Sequence, residues 1–363
     1  MSHARAETVG SFLRPDDLLA SRKDFAEGRI TAALLRATED KAIREVVAMQ
    51  EDVGLDVVTD GEFRRENWWI DFVAKLRGVE ISSGSGAVSF DQSYIPKMVR
   101  TVGKLGVDGP VVVPDYRYLA STTSRPAKVT IPSPTRMHFH GGRRSVATQA
   151  YPDIEEFFDD IAAIYRAEIA QLETAGCRYI QIDDPLMTYF LSPKLRAEIE
   201  ADGEKPVSRL ARYLELLNQC IGSRHKDTII GIHICRGNAR SEWISEGSYE
   251  GIAEQCFGTL AVDRYLLEFD DERSGSFAPL RFMPKEKHVV LGLITTKTPQ
   301  LENTADVMRR LEEASRLVEM DRLAISPQCG FASVVEGNKV TEADQRAKLE
   351  LVVDIARKAW GRR

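Results

Sequence analysis

Cysteine is scarce: five in 363 residues, an odd number in a long chain. That excludes a disulfide framework as the source of stability, and a reducing compartment, the cytoplasm, is expected. Long apolar runs are missing too; none approaches the roughly 18 residues that a membrane span needs. The opening residues Met1-Ser2-His3-Ala4-Arg5 lack the apolar core of a signal peptide. There is no basic block either. Lys and Arg number 49 against 55 Asp and Glu, a net charge of −6, so neither nucleic acid nor a membrane surface is expected as a partner. What is present is globular in character: 43% hydrophobic and 29% charged residues supply enough apolar material for a large core. At roughly 150 residues per domain the length allows two domains, but a single α/β barrel of about 250 residues with insertions is an accepted exception.

Short β-prone apolar runs alternate with longer segments of helical period. The runs fall at 8–10, 56–59, 128–131, 179–182, 228–232, 265–269, 288–293 and 323–326. Between them, 32–52, 154–174, 207–220, 304–318 and 342–360 repeat apolar residues every three or four positions. This alternation predicts parallel strands joined by right-handed crossovers. Eight such units close a (β/α)8 TIM barrel, occupying 1–363 as one catalytic domain. A doubly wound open sheet is the competing architecture, but its glycine phosphate-binding fingerprint is missing: Gly84-Ser85-Gly86 lies in a loop and lacks the third glycine. Residues 81–125 break the rhythm with Gly/Ser turns, three prolines and the β-prone Val111-Val112-Val113, Tyr116 and Tyr118. They predict a β-hairpin-like insertion after the second strand and no strong helix; a lid or a subunit contact is the other use of such an excursion.

In a barrel of parallel strands the chemistry gathers at the strands' C-terminal ends. Those ends read Ser11, Asp60-Gly61-Glu62, Ser133, Asp183-Asp184-Pro185, His233-Ile234-Cys235, Glu268, Thr295-Thr296-Lys297 and Cys329. His233 and Cys235 are two apart, so on a strand they face the same way and can reach one ion. Glu268 follows Leu266-Leu267, where a carboxylate is costly to bury without a partner, and Cys329 ends the last strand. One His, two Cys and one Glu form a mixed donor set that suits Zn2+ and suits Mg2+ or Ca2+ poorly. Each alone has a plainer reading as packing; the convergence of three strand ends is what points to a metal. Cys177, Cys220 and Cys256 sit in helical or pre-strand contexts and read as small buried hydrophobes. His138-Phe139-His140 is a second i, i+2 pair, but the further His and Asp of a hydrolase barrel do not accompany it. There a ligand-positioning role or a solvated loop is expected.

Zinc held by two thiolates and a carboxylate is a weak Lewis acid, poor at generating hydroxide. It is better suited to holding a substrate thiol as thiolate at neutral pH. Alkyl transfer to sulfur is the expected chemistry, not hydrolysis.

These segments resemble the cobalamin-independent methionine synthase family, in its catalytic C-terminal barrel. The resemblance runs from Glu7-Thr8-Val9-Gly10-Ser11-Phe12 to Cys329-Gly330. It rests on Asp60-Gly61-Glu62-Phe63, Gln181-Ile182-Asp183-Asp184-Pro185, His233-Ile234-Cys235 and Pro327-Gln328-Cys329-Gly330, in that order. It implies a zinc site of His233, Cys235, Glu268 and Cys329, the set already reached from the residues. It also implies that Ser11, Glu62 and Asp183 hold homocysteine, the carboxylates meeting its ammonium and Ser11 its carboxylate. An α-amino acid taken out of water needs both charges paired. The plainer reading of Glu62 and Asp183 is ion pairing with Arg64 or Arg65. Trp68 and Trp69 offer faces for a flat donor such as a pterin, with core packing as the alternative.

The departures from the family matter. Full-length members carry a D-I-H-S-P segment whose His serves proton transfer; here Thr295-Thr296-Lys297-Thr298-Pro299 puts Lys297 in its place. Asp184 is the second acid of the D-E-P motif, so Lys297 and Asp184 are the catalytic candidates beside the metal. The N-terminal barrel-like domain of the larger enzymes is not in this sequence. The resemblance therefore implies a zinc-dependent S-methyltransferase making methionine from homocysteine, with 5-methyltetrahydrofolate as the default donor. A methylcorrinoid donor, an epoxide attacked by coenzyme M as in the epoxyalkane:coenzyme M transferases, and a non-catalytic thiol-binding barrel are the alternatives. Coenzyme M has no ammonium group, so Glu62 and Asp183 favour an amino-acid thiol. A homo-oligomer is neither required nor excluded.

Overall fold

A computed structural model of the chain describes residues 4–83 and 97–361. Its strands are β1 (Leu76–Ser83), β2 (Lys97–Val107), β3 (Val129–Pro132), β4 (Tyr179–Asp183), β5 (Ile229–Ile234), β6 (Arg264–Glu268), β7 (His288–Ile294) and β8 (Leu323–Pro327). The six from β3 to β8 lie side by side in chain order, all parallel. Helical crossovers permit this pairing, and helices on the sheet's faces bury its strands on both sides. Every residue of β3, β4, β6 and β8 is accordingly buried. Helices Ala32–Val53, Ile154–Thr174, Pro206–Ile221, Thr304–Ser315 and Glu342–Trp360 fall where the apolar period predicts them. Four of these start at a side chain that accepts a first-turn N–H: Thr31, Asp153, Asn303 and Thr341. Among the described residues no helix is long and apolar enough to cross a membrane.

The first two expected strands are single bridges rather than ladders. Ala6 pairs in parallel with Ile325 of β8, and Val58 with Ala127 just before β3. The Asp56 N–H donates to the Ala6 carbonyl at 2.9 Å, so the two short segments at the sheet's edges are joined to each other. The first pairing falls at Ala6, before the expected 8–10, because the Asp56 carboxylate takes the N–H groups of Arg5 and Ala6 at 2.6 and 2.9 Å. Donors that a longer ladder would use are thereby diverted.

The excursion also departs from expectation. Its hairpin begins at Leu76, with β1 antiparallel to β2. Val113–Thr122 is a helix where the valine run predicts extended chain. Pro114 suits a first helical turn, and the buried Glu168 carboxylate takes the N–H groups of Val111 and Val112 at 2.8 and 2.7 Å. A carboxylate from a distant helix thus fixes the turn that leads into this one, against the extended preference of the valines. Gly84-Ser85-Gly86 and the rest of 84–96 lie outside the described residues.

A charged cluster ties the strands together. Glu7, wholly buried, meets Lys128 at 3.1 Å and Arg264 at 2.6 Å, and accepts from the Tyr179 hydroxyl at 2.9 Å. Burial pushes its carboxyl up, but the two cations outweigh that and hold it below the usual range. Lys128 also donates to Gln181 Oε1 at 2.7 Å, and Gln181 Nε2 donates to Asp183 at 2.7 Å, carrying the network to the strand ends. Glu7→Gln would leave two buried cations short of an anion. A loss of about 3–5 kcal/mol is expected, read as a lower urea midpoint.

Candidate metal and substrate site

The C-terminal ends of the parallel strands surround a cavity with about 840 Å³ of empty space. Ser11, Glu62, Trp68 and Asp183 line it, and so do His233, Cys235 and Cys329. Parity explains the placement of the candidate ligands: His233 lies on β5 and Cys235 one residue past its end, on the same face. With Cys329 beyond β8, their donor atoms lie within 4.8 Å of one another, all three residues buried. Nδ1 of His233 is 3.2 Å from the Leu266 carbonyl, which orients the ring. Its Nε2 is buried with no nitrogen or oxygen partner and is left to the cluster, where Cys329 is its neighbour. The Cys235 and Cys329 thiols lie close together; this contact and burial push Cys235 well above the usual thiol range, while the same contact, with help from His233 and against burial, draws Cys329 well below it. A thiol whose pKa is lowered, a second thiol and an imidazole nitrogen together suit Zn2+.

Glu268, expected as the fourth ligand, has both carboxylate oxygens against protein donors. It is wholly buried but stands outside the His233–Cys235–Cys329 cluster. Its Oε2 accepts from the Arg236 N–H at 2.8 Å, while Oε1 faces Arg273 at 3.4 Å and Lys297 at 3.9 Å. Lys297 and Asp184 do not line the cavity. Consecutive strand-end residues face opposite ways, so Asp183 points into the cavity and Asp184 away from it. Asp184 accepts from the Ser133 and Thr135 hydroxyls at 2.6 and 3.4 Å and from the Leu186 N–H at 3.1 Å. Burial raises its pKa to about 6 even against these donors. Its hydrogen bonds tie the loops after β3 and β4 to each other.

The carboxylate side is built on a strained turn. Gly61 and Glu62 both have left-handed backbone, with φ of 69° and 59°, a conformation free for glycine and costly for glutamate. The Glu62 N–H donates to Asp60 at 2.9 Å and its carbonyl accepts from Arg14 at 2.9 Å, which holds the turn. The Glu62 carboxylate then accepts from Thr130 at 2.8 Å and faces Arg65 at 3.7 Å. Arg65, not Arg64, is therefore its ion partner; Arg64 pairs with Asp40 and Asp115. Burial, and next the charge of Glu62, push Asp183 up to about 7. Two carboxyl groups thus face one space with less positive charge than they need.

Ser11 is fixed by close packing. Its Oγ accepts from the Ala332 N–H at 3.3 Å, and a Cβ on Gly330 would fall 1.9 Å from that Oγ. Gly330→Ala must displace Ser11 and is expected to cost about 1–3 kcal/mol, checked by thermal unfolding alongside homocysteine affinity.

Sequence reasoning missed Arg136, Lys97, Tyr189 and Asn238, which also line the cavity. None lies at a strand end that periodicity marks, and Arg136 stacks over Trp69 at 3.9 Å. The histidine pair separates. His138 packs against Tyr213, with Nδ1 2.9 Å from the hydroxyl, while His140 lines the cavity and is pushed down to about 3 by burial and then by Arg136. Cys177, Cys220 and Cys256 are buried apart from the cluster, and burial raises all three thiols, in keeping with small apolar filler.

Fold and site together define a class: an α/β protein with a His/Cys/Cys group that could hold a metal ion beside two facing carboxyl groups. The chain belongs to the family described as cobalamin-independent synthase, catalytic domain, which it matches over residues 5–358. It is 42% identical to the Bacillus subtilis protein YxjH, over 98% of this chain and 94% of that one. It is 26% identical to the methionine synthase of Pyrococcus abyssi, over 89% of this chain and 85% of the relative. Among solved structures, a Listeria monocytogenes protein assigned as a vitamin-B12 independent methionine synthase superposes with a TM-score of 0.79 at 35% identity, covering 99% of this chain and 98% of that one. The motif resemblance is thus family membership.

Proposed function

We propose that this chain is a zinc-dependent S-methyltransferase that moves a methyl group from 5-methyltetrahydrofolate to homocysteine, forming methionine. One observation carries the reading: the His233–Cys235–Cys329 cluster and the Glu62–Asp183 pair open into the same cavity. Zinc, when bound, supplies a place where a substrate thiol is held as thiolate at neutral pH. Glu62 and Asp183 meet the acceptor's ammonium, whose charge relieves the repulsion that raises Asp183. The Ser11 hydroxyl meets its carboxylate. Trp68 offers a half-buried face to a flat donor. In the transfer an S–CH3 bond forms as the donor's N–CH3 bond breaks; the thiol gives up a proton and the departing amine gains one. Neither Lys297 nor Asp184 lines the cavity, so we assign that proton to neither.

We read the joined segments at Ala6 and Val58 as the first two staves of a closed (β/α)8 barrel. The β1–β2 hairpin is then an insertion after the second stave, and 1–363 is one catalytic domain. The test is single-turnover transfer to homocysteine with monoglutamyl and triglutamyl methylfolates, and methylcobalamin as the contrasting donor. Methionine from a methylfolate is the expected product. Methionine from methylcobalamin alone, or from no donor, overturns the reading.

A further inference from the structure

Asn238 lies four residues past β5, lines the cavity and is 6% exposed. Its Nδ2 donates to the Gly330 carbonyl at 2.8 Å and to the Ser333 hydroxyl at 3.4 Å. A carbonyl can only accept, so the amide nitrogen is the atom that faces Gly330 and the oxygen is turned the other way. That oxygen, Oδ1, is buried with no hydrogen-bond partner among the described residues. A buried acceptor left open costs free energy until a ligand donates to it. Its position narrows which donor that is. Gly330 is also the residue against which Ser11 packs, so Asn238 stands at the end of the cavity assigned to the amino-acid group. A carboxylate beside Ser11 has no hydrogen to give and would be repelled by the amide oxygen, whereas an ammonium carries three N–H groups. Glu62 and Asp183 take two of them and already bring two carboxyl groups to one cation. A third anion would overshoot that charge; a neutral amide oxygen completes the set of acceptors without adding to it.

Resting on the homocysteine reading above, we propose that Asn238 Oδ1 is the third acceptor for the substrate's ammonium and makes the site selective for a primary amine. Glu62 and Asp183 alone would serve a secondary ammonium, with its two N–H groups, equally well. With Asn238 in place, an N-methylated substrate leaves a buried oxygen unmatched and presses a methyl group against it.

Isothermal titration of the full chain, with zinc supplied, compares three thiols: homocysteine, N-methylhomocysteine and the amine-free 4-mercaptobutyrate. The wild type should bind N-methylhomocysteine about tenfold more weakly than homocysteine, the scale of one hydrogen bond to a charged group. Asn238→Ala should weaken homocysteine by a similar factor, leave 4-mercaptobutyrate unchanged and bring the two amines to near-equal affinity. If Asn238 served only to tie the loops at Gly330, its loss would weaken 4-mercaptobutyrate as much as homocysteine, and that result overturns the proposal. So does a wild type that binds the two amines alike, a measurement that needs no variant to fold. A loss in Asn238→Ala confined to methylfolate affinity would give the oxygen to the donor and overturns it too. A wild type that binds no homocysteine overturns the homocysteine reading itself, and this inference with it.

Discussion

Cys329→Ser should cost the protein its zinc. The wild type should retain about one ion per chain through dialysis, whereas the variant should bind at least about a hundredfold more weakly. A complete zinc site is worth about 10–16 kcal/mol in apparent binding free energy, so losing one of a few ligands removes several kcal/mol. Serine is nearly isosteric but its hydroxyl is a hard, protonated donor at neutral pH. Contacts with Cys235 and His233 lower the pKa of Cys329, the direction that favours a thiolate ligand. Cys235→Ser should behave similarly. Cys220→Ser is the control, because Cys220 is buried apart from the cluster and its thiol is held up by burial. Metal analysis after gel filtration reads all three. Full zinc content in Cys329→Ser would sink the assignment.

That cluster was legible in the sequence because it rests on short-range rules. Parallel strands put their C-terminal ends together, and a period of two puts His233 and Cys235 on one face. The same parity separates Asp183 from Asp184, which motif similarity alone places side by side. What escaped the sequence depends on groups far along the chain. Glu268 is aimed by Arg236, Arg273 and Lys297, none of which its own neighbours Leu266 and Leu267 announce. The chain leading into the helix Val113–Thr122 is pinned by Glu168, on a distant helix, through the N–H groups of Val111 and Val112. The first two strands shrink to bridges because Asp56 captures the backbone donors at Arg5 and Ala6. Arg136 and Asn238 reach the cavity from positions that no periodicity marks. Local propensity and period describe the frame; side-chain ties between distant segments decide where it is trimmed and which way a buried carboxylate turns.

Glu62→Gln should abolish the preference for an amino-acid thiol. In the wild type, homocysteine should bind far more tightly than 4-mercaptobutyrate, which is the same molecule without its amine. Glu62 is 3% exposed, so it is an anion held out of water whose charge the ammonium would neutralise. Truncating one partner of such a buried charged contact costs about 2–5 kcal/mol, equivalent to about thirtyfold or more in affinity. The glutamine keeps the size of the side chain and can still accept from Thr130, as Glu62 does at 2.8 Å, so the turn at Gly61 and Glu62 should survive. The amine-free thiol should lose little, because it never used the charge, and the two dissociation constants should converge. Asp183 responds in the opposite sense. The charge of Glu62 is the second cause, after burial, of its rise to about 7, so its pKa in the variant should fall toward the ordinary carboxylate range, visible by carbon-13 NMR of the labelled carboxyl. Affinities falling equally for both thiols would place Glu62 in the scaffold and leave the ammonium to another group.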